Sequence, residues 1–238
     1  MTEMVLINAG TFIMGSPEDE PEREDDETPH QVTVRAFYMG KHPVTQADYQ
    51  EIMGMNPSHF KGDDLPVEQV SWFDAVEYCN RVSQREGLTP AYTVKGTEVE
   101  WNRNADGCRL PTEAEWEYAC RAGTTTPYYS GTSVDNAGWY SGNCGSQTHP
   151  VGEKQGNVWG LYDMHGNVLE WCWDWYGAYS GSAQSDPEGA QMGYFRVQRG
   201  GSWHNDAQYL CSADRYRNSP SAQNCYIGFR VARSCFRG

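Results

Sequence analysis

No apolar run in this chain of 238 residues approaches the roughly twenty residues of a membrane span, so no membrane insertion is expected. The opening MTEMVLINAG carries neither a basic region nor a long apolar stretch, and no secretion signal is read there. Positive charge is scarce. The 18 Lys and Arg stand against 32 Asp and Glu, and the net charge of −14 argues against nucleic acid, whose phosphates need a basic face. The 8 cysteines form no C-x-x-C pair, and the 6 histidines show no H-x-H, H-x-x-x-H or H-E-x-x-H spacing. Thiolate zinc and histidine-held metal are therefore disfavoured. G-x-S-x-G, phosphate-loop and dinucleotide fingerprints are also missing. An even cysteine count permits disulfides; scattered buried thiols are the other reading, and the one a chain with a real core favours.

What is present describes a turn-rich body packed around aromatics, with 25 Gly and 9 Trp. The length suits one large domain, no linker divides it, and a single domain over 1–238 is expected. VLINAGTFIMGS reads as a strand, a turn and a second strand; HQVTV alternates at Val32 and Val34. Three helix starts follow at Thr45…Asp48, Ser71…Asp74 and Thr112…Glu115, the last being the best capping box. Gly54, Gly87 and Gly123 are natural stops. After Gly123 no further helix of length is expected. EWCWDWY (170–176) alternates strictly, which puts Trp171, Trp173 and Trp175 on one face of a strand. That face reads as core, with a sugar-stacking platform as the rarer alternative. The acidic run EDEPEREDDE (18–27) reads as a solvated loop.

The last fifth of the chain is the most informative. RGGSW (199–203) and IGFRV (227–231) bracket a stretch without pattern, HNDAQYLCSADRYRNSPSAQNCY, which has no Lys, Glu or Met. Tyr, Ser and Asn are favoured on recognition surfaces, since Tyr gives contact area at low entropy cost and Ser and Asn adapt their hydrogen bonds. The segment is either a binding face held by a rigid frame or an ordinary surface loop. A second constellation is GLYDMHGNVLE (160–170), where the Asp163 and Glu170 carboxylates and the Gly166 and Val168 carbonyls could offer four oxygens to calcium. Equally, Asp163 caps a turn and Glu170 pairs with an arginine.

Taken together, GTFIMGS (10–16), PVT (43–45), PV (66–67) with VSW (70–72), RLPTEAEWE (109–117), GLYDM (160–164), GNVLEW (166–171), RGGS (199–202) and GFR (228–230) resemble the formylglycine-generating-enzyme, or sulfatase-modifying-factor, family over nearly the whole chain. The resemblance implies an α+β, C-type-lectin-like fold of the formylglycine-generating-enzyme subclass with much irregular structure. It also implies structural calcium at Asp163, Gly166, Val168 and Glu170, and leaves a second family site near Asn136 and Ala137 open because the following loop is short. The family's oxidases convert a substrate cysteine to formylglycine with copper held by two cysteines soon after R-G-G-S. No such pair stands here, so no copper is expected, and a formylglycine-generating-type oxidase acting on a protein cysteine is the alternative reading.

This departure is similar to the variable proteins of diversity-generating retroelements, whose C-terminal segment is rewritten at adenines and restricted to residues encoded by pyrimidine-ending codons. The resemblance implies a non-enzymatic display protein with a variable segment at 203–227. Its ligand-binding positions would be His204, Asp206, Tyr209, Cys211, Asp214, Tyr216, Arg217, Asn218, Ala222, Asn224, Cys225 and Tyr226, all within the permitted set; Gln208 and Gln223 fall outside it and are assigned to the frame. The ligand would be a protein or other macromolecule, and the role implies the cell surface or the extracellular space.

Overall fold

Three hydroxyl side chains begin the three α-helices. In the computed structural model, which describes residues 3–235, α1 (Gln46–Met53), α2 (Trp72–Arg85) and α3 (Glu113–Arg121) follow Thr45, Ser71 and Thr112, whose oxygens accept the amide three residues on. Glu115 returns the bond to Thr112 as expected, and Asp74 does the same for Ser71. Gly54 ends α1 in the left-handed region and α2 closes at Glu86, one residue before Gly87. Helix α3 stops one residue earlier than its glycine: Ala122 itself takes φ 46 before Gly123. Beyond Gly123 the only helical turn among the described residues is a 3₁₀ turn, Ala207–Leu210.

The strands are short. In chain order they are β1 (Met4–Ile7), β2 (Gly10–Met14), β3 (His30–Val34), β4 (Phe37–Gly40), β5 (Tyr92–Lys95), β6 (Glu98–Trp101), β7 (Cys108–Arg109) and β8 (Gly138–Trp139). Then follow β9 (His165–Gly166), β10 (Leu169–Trp175), β11 (Gln184–Ser185), β12 (Arg196–Arg199), β13 (Arg215–Asn218), β14 (Ile227–Gly228) and β15 (Ala232–Ser234). The first two are consecutive, as read, but enter different sheets: β1 joins β4, and β2 joins β3. Strand β15 inserts between β4 and β7, so both ends of the described chain lie in one sheet of order β1-β4-β15-β7. A second sheet runs β13-β12-β10-β14 and a third β11-β3-β2.

The alternation along β10 separates two cores. Trp171 and Trp173 pack with Trp72, Tyr92 and Phe229, while Cys172 faces a second cluster with Trp116, Phe37 and Met39. The tryptophan face is therefore core, but the opposite face is closed as well, because α3 covers it. Only Trp175 is half-buried, and the Arg196 guanidinium lies between its ring and that of Trp72, at 3.6 and 3.8 Å. Burying Trp side chains of this kind contributes about 3 kcal/mol or more each.

Helix α3 supplies the charges that order the second core. Glu113 and Glu117 sit one turn apart on its inner face, 3% and 0% exposed. Glu117 accepts from the Gly15 amide at 2.9 Å, from Arg121 Nε at 2.8 Å and from Arg199 Nη2. Arg199, fully buried at the end of β12, also reaches Glu113 at 3.6 Å. Burial acts to raise the Glu113 carboxyl, but Arg215 and Arg199 together hold it below its usual range. Removing one partner of such a network strands the others, and this costs more than a surface ion pair would.

An Arg199→Ala substitution is expected to lower unfolding stability by about 3–5 kcal/mol, read from urea denaturation, because Glu117 and Glu113 keep their burial and lose a counter-charge. A loss under about 1 kcal/mol would show that Arg199 is dispensable to the core.

Candidate functional site

The 203–226 segment is stitched into the fold at both ends by the same strand. On one edge of β10, Glu170 is in register with Arg199 and Trp171 with Gln198; on the other, Leu169 pairs Ile227 and Glu170 pairs Gly228. The R-G-G-S turn needs its glycines: Gly200 and Gly201 take φ 93 and 65, and a Cβ on Gly201 would stand 2.6 Å from Leu210 Cδ1. Beyond the turn, the Arg199 guanidinium gathers the carbonyls of Ser212, Ala213 and Asp214, so the middle of the segment hangs from the same side chain that anchors α3. Further along, β13 pairs with β12 from Arg215↔Arg199 to Asn218↔Arg196. Two backbone bonds then lay the segment over the start of α2, from Gln69 to Asn224 O at 3.0 Å and from Trp72 to Pro220 O at 3.0 Å.

The twelve positions divide by exposure. His204, Asp206 and Arg217 face solvent, while Tyr209, Tyr216, Asn218, Ala222, Asn224, Cys225 and Tyr226 are half-buried. Cys211 and Asp214 are buried, at 9% and 5% exposed, and this corrects the expectation that all twelve stand on the surface: the grip of Arg199 on their neighbourhood pulls them inward. The rings form two linked groups. His204 stacks on Tyr226 at 5.7 Å, and Tyr209 meets Tyr216 edge-on at 6.3 Å. Asn205 joins the groups by donating to the Tyr216 hydroxyl at 2.8 Å. Of the two glutamines assigned to the frame, both are exposed, and Gln223 donates to Asp74 Oδ2 at 2.9 Å.

Residues distant in sequence complete the surface. Phe60 packs edge-on against Trp203 at 5.5 Å, and the Trp203 indole donates to Cys225 O at 3.0 Å. No sequence signal marks Phe60. Beneath it Glu68 is fully buried: Oε1 accepts the Phe60 amide at 2.8 Å, while Oε2 has no hydrogen-bond partner among the described residues. Burial pushes its carboxyl up to about 7. The acidic run also arrives here. It was read as a solvated loop, yet Glu20 and Glu27 are buried and Asp26 accepts from the Tyr176 hydroxyl.

The thiols of this region are not set up as nucleophiles. Cys120 lies 3.8 Å from His165 Nε2, a pairing that could suggest activation. Both ring nitrogens are already engaged: Nδ1 donates to Leu210 O at 2.7 Å and Nε2 accepts the Tyr129 amide at 3.1 Å. Burial pushes the His165 pKa down to about 3 and the Cys120 thiol up to about 12, so the pair is neutral. Burial likewise pushes Cys211 up to about 12. All eight cysteines are free thiols, six of them buried, which is the arrangement favoured on sequence.

Two of the four oxygen sources proposed for calcium, the carboxylates, hold hydrogen-bond donors. Glu170 accepts Arg230 Nε and Nη2 at 2.6 Å each and the Trp116 indole at 2.7 Å. Asp163, at φ 55, accepts the Gly152 amide at 2.7 Å. Of the second sequence reading, the arginine pair is seen, between Glu170 and Arg230. A guanidinium fork thus lies against Glu170, one of the four positions, Asp163, Gly166, Val168 and Glu170, expected to hold calcium. Near the second site, the Asn136 and Ala137 carbonyls accept from Gln155 N and Tyr129 Oη.

Comparison with known proteins places this geometry. A model of the sulfatase-modifying factor enzyme 1-like domain matches residues 1–235. Variable protein 1 of Treponema denticola superposes with a TM-score of 0.90 at 36% identity, covering 97% of this chain and 94% of that one. The chaperone protein LppX of Paenibacillus barcinonensis is 36% identical over 84% of this chain and 78% of its own length. The formylglycine-generating enzyme of Mus musculus is 30% identical over 98% of this chain and 75% of its length. The chain also matches serine/threonine-protein kinases of Chlamydia, of which it spans only 38%. The α+β fold is thus the C-type-lectin-like arrangement of the formylglycine-generating-enzyme subclass.

Two measurements test the site's chemistry. A thiol reagent applied to the native protein at neutral pH is expected to modify only Cys225 and Cys235, the two partly exposed cysteines; rapid reaction at Cys120 or Cys211 would contradict their burial. For Glu68, the folded carboxyl titrates near 7 and the unfolded one near 4.5, so the unfolded chain releases its proton first. Stability is then full below pH 4.5 and falls as pH rises to about 7, by up to about 3 kcal/mol. Glu68→Gln is expected to flatten this decline in denaturation curves taken across that range; an unchanged slope would place the titration elsewhere.

Proposed function

Because this chain belongs to the family of the sulfatase-modifying factor enzyme 1-like domain, we propose that it is a non-enzymatic member in which a diversified segment, 203–227, presents a ligand-binding surface on a fixed scaffold. The observation that carries the reading is the separation of frame from surface. Both ends of the segment are in register with Glu170, its middle is suspended from Arg199, and yet His204, Asp206 and Arg217 point outward with Tyr209, Tyr216 and Tyr226 half-exposed between them. Substitution at those positions leaves the backbone bonds that hold the segment intact. The likeness to a solved variable protein at a TM-score of 0.90 supports the same reading. In this role the tyrosines anchor a protein or other macromolecular ligand, as aromatic residues do at interfaces, and the protein works at the cell surface.

An oxidase reading has one observation in its favour, the 30% identity to a formylglycine-generating enzyme. It has no thiolate pair behind it, since Cys211 is buried and its proton is held tightly.

Sequencing the locus across many isolates separates the two. Substitutions are expected to concentrate in codons 203–227, at adenines of a near-copy template, with Arg199, Gly200, Gly201 and Glu170 constant. An invariant segment, together with copper-dependent oxidation of a cysteine peptide, would overturn the display reading in favour of the oxidase.

A further inference from the structure

The acidic stretch 18–27 is far from the display segment in sequence, but the fold delivers it to the segment's edge. The Ser16 amide bonds Glu27 O at 3.1 Å and the Glu24 amide bonds Glu27 Oε1 at 3.3 Å, which closes the loop on itself. Arg215 Nη1 donates to Asp26 O at 3.1 Å and fastens the loop to β13. Between them lies a recess of about 330 Å³, where Glu24, Asp25 and Asp26 face Tyr209, Asp214 and Tyr216.

Two arginines line the recess, and the charge of Arg215 is spent while Arg217 makes no ion pair among the described residues. Arg215 forks onto Glu113 at 2.7 and 2.9 Å. Arg217 is exposed, and its guanidinium lies 4.4 Å from the centre of the Tyr176 ring, so a planar cation already sits against one wall. Among the described residues Glu24 and Asp25 make no ion pair. Asp214 is 5% exposed and its Oδ2 accepts no hydrogen bond among those residues. Burial, with Glu27 close by, pushes its carboxyl well above the usual aspartate range. A buried acceptor without a donor, surrounded by carboxylates and tyrosine rings, is short of a hydrogen-bond partner.

We infer that this recess takes a lysine or arginine side chain of the protein ligand, seated between the tyrosine rings and the carboxylates of the 24–26 loop and Asp214. The inference rests on the display reading for the existence of that ligand. Glu24, Asp25 and Asp26 lie outside 203–227, so the acidic rim belongs to the scaffold and persists while the segment changes. Every variant then carries the same bias towards basic partner surfaces.

The test uses tetra-arginine amide titrated into the full chain by calorimetry, with tetra-glutamate as the charge-reversed control. One double variant, Glu24→Gln with Asp25→Asn, removes two rim charges; a second, Glu18→Gln with Asp19→Asn, removes two from the same run away from the recess. All four side chains are exposed, so folding is undisturbed. Tetra-arginine is expected to bind the wild type and the 18/19 variant alike and the 24/25 variant about fivefold more weakly at low salt. The difference should shrink at about 0.15 M salt. Equal weakening in both variants, no binding to the wild type, or comparable binding of tetra-glutamate would each overturn the inference. The isolate survey can fail while the recess still selects arginine, and the recess can fail in a segment that varies, so the two readings fall separately.

Discussion

The structure depends on one buried guanidinium. Arg199 ends β12, pairs with Glu117 and Glu113 of α3, and donates its remaining hydrogen bonds to three successive carbonyls of the 203–226 segment. A charge removed from water is costly unless both its counter-ions and its hydrogen-bond partners are in place. Here the counter-ion Glu117 stands 82 residues before the arginine, and the accepting carbonyls stand 13 to 15 residues after it. The arginine thereby does two jobs at once. It fixes α3 against the sheet, and it holds residues 212–214 by their backbone, whatever side chains they carry.

Much of this was legible because local chemistry and fold agree. Hydroxyl caps followed by acids gave all three helices, since cap and amide lie within four residues of each other. Period-two burial at Val32 and Val34 and the tryptophan face of β10 followed from strand geometry alone. The motifs from Gly10 to Arg230 carried the fold class. What could not be read depends on contacts between distant residues. The acidic run looked solvated because its burial partners, the Tyr176 hydroxyl and Arg215, are about 150 and 190 residues away. The closure of the second face of β10 required α3 to lie there. Cys211 and Asp214 looked like surface residues because nothing nearby announces that Arg199 draws the carbonyls of Ser212, Ala213 and Asp214 inward.

The calcium expectation and the arginine pair are two answers to one electrostatic need. Glu170 is buried at the centre of the frame and must meet positive charge there. Arg230 meets it with a two-pronged contact and also donates to the carbonyls of Gly40 and Tyr162, tying the segment's exit to β4 and to the loop before β9. Spacing along the chain marked both carboxylates, but could not show that Arg230 reaches Glu170 from 60 residues away. The same holds for Cys120 and His165. Their neighbourhood resembles a nucleophile and base until the hydrogen bonds of each ring nitrogen are counted.

The double registration of Glu170, with Arg199 on one side and Gly228 on the other, has a consequence for chain length as well as for composition. Two strands flanking a third are about 10 Å apart, so the intervening residues form a loop whose ends are joined before any of its own contacts are made. The entropic cost of closing such a loop grows only with the logarithm of its length, about 0.6 kcal/mol per doubling. Chain length is then weakly constrained by closure on the stretch between β13 and β14, where the chain passes over α2. A scaffold closed in this way could accept a longer protrusion there for less than the cost of a single core cavity.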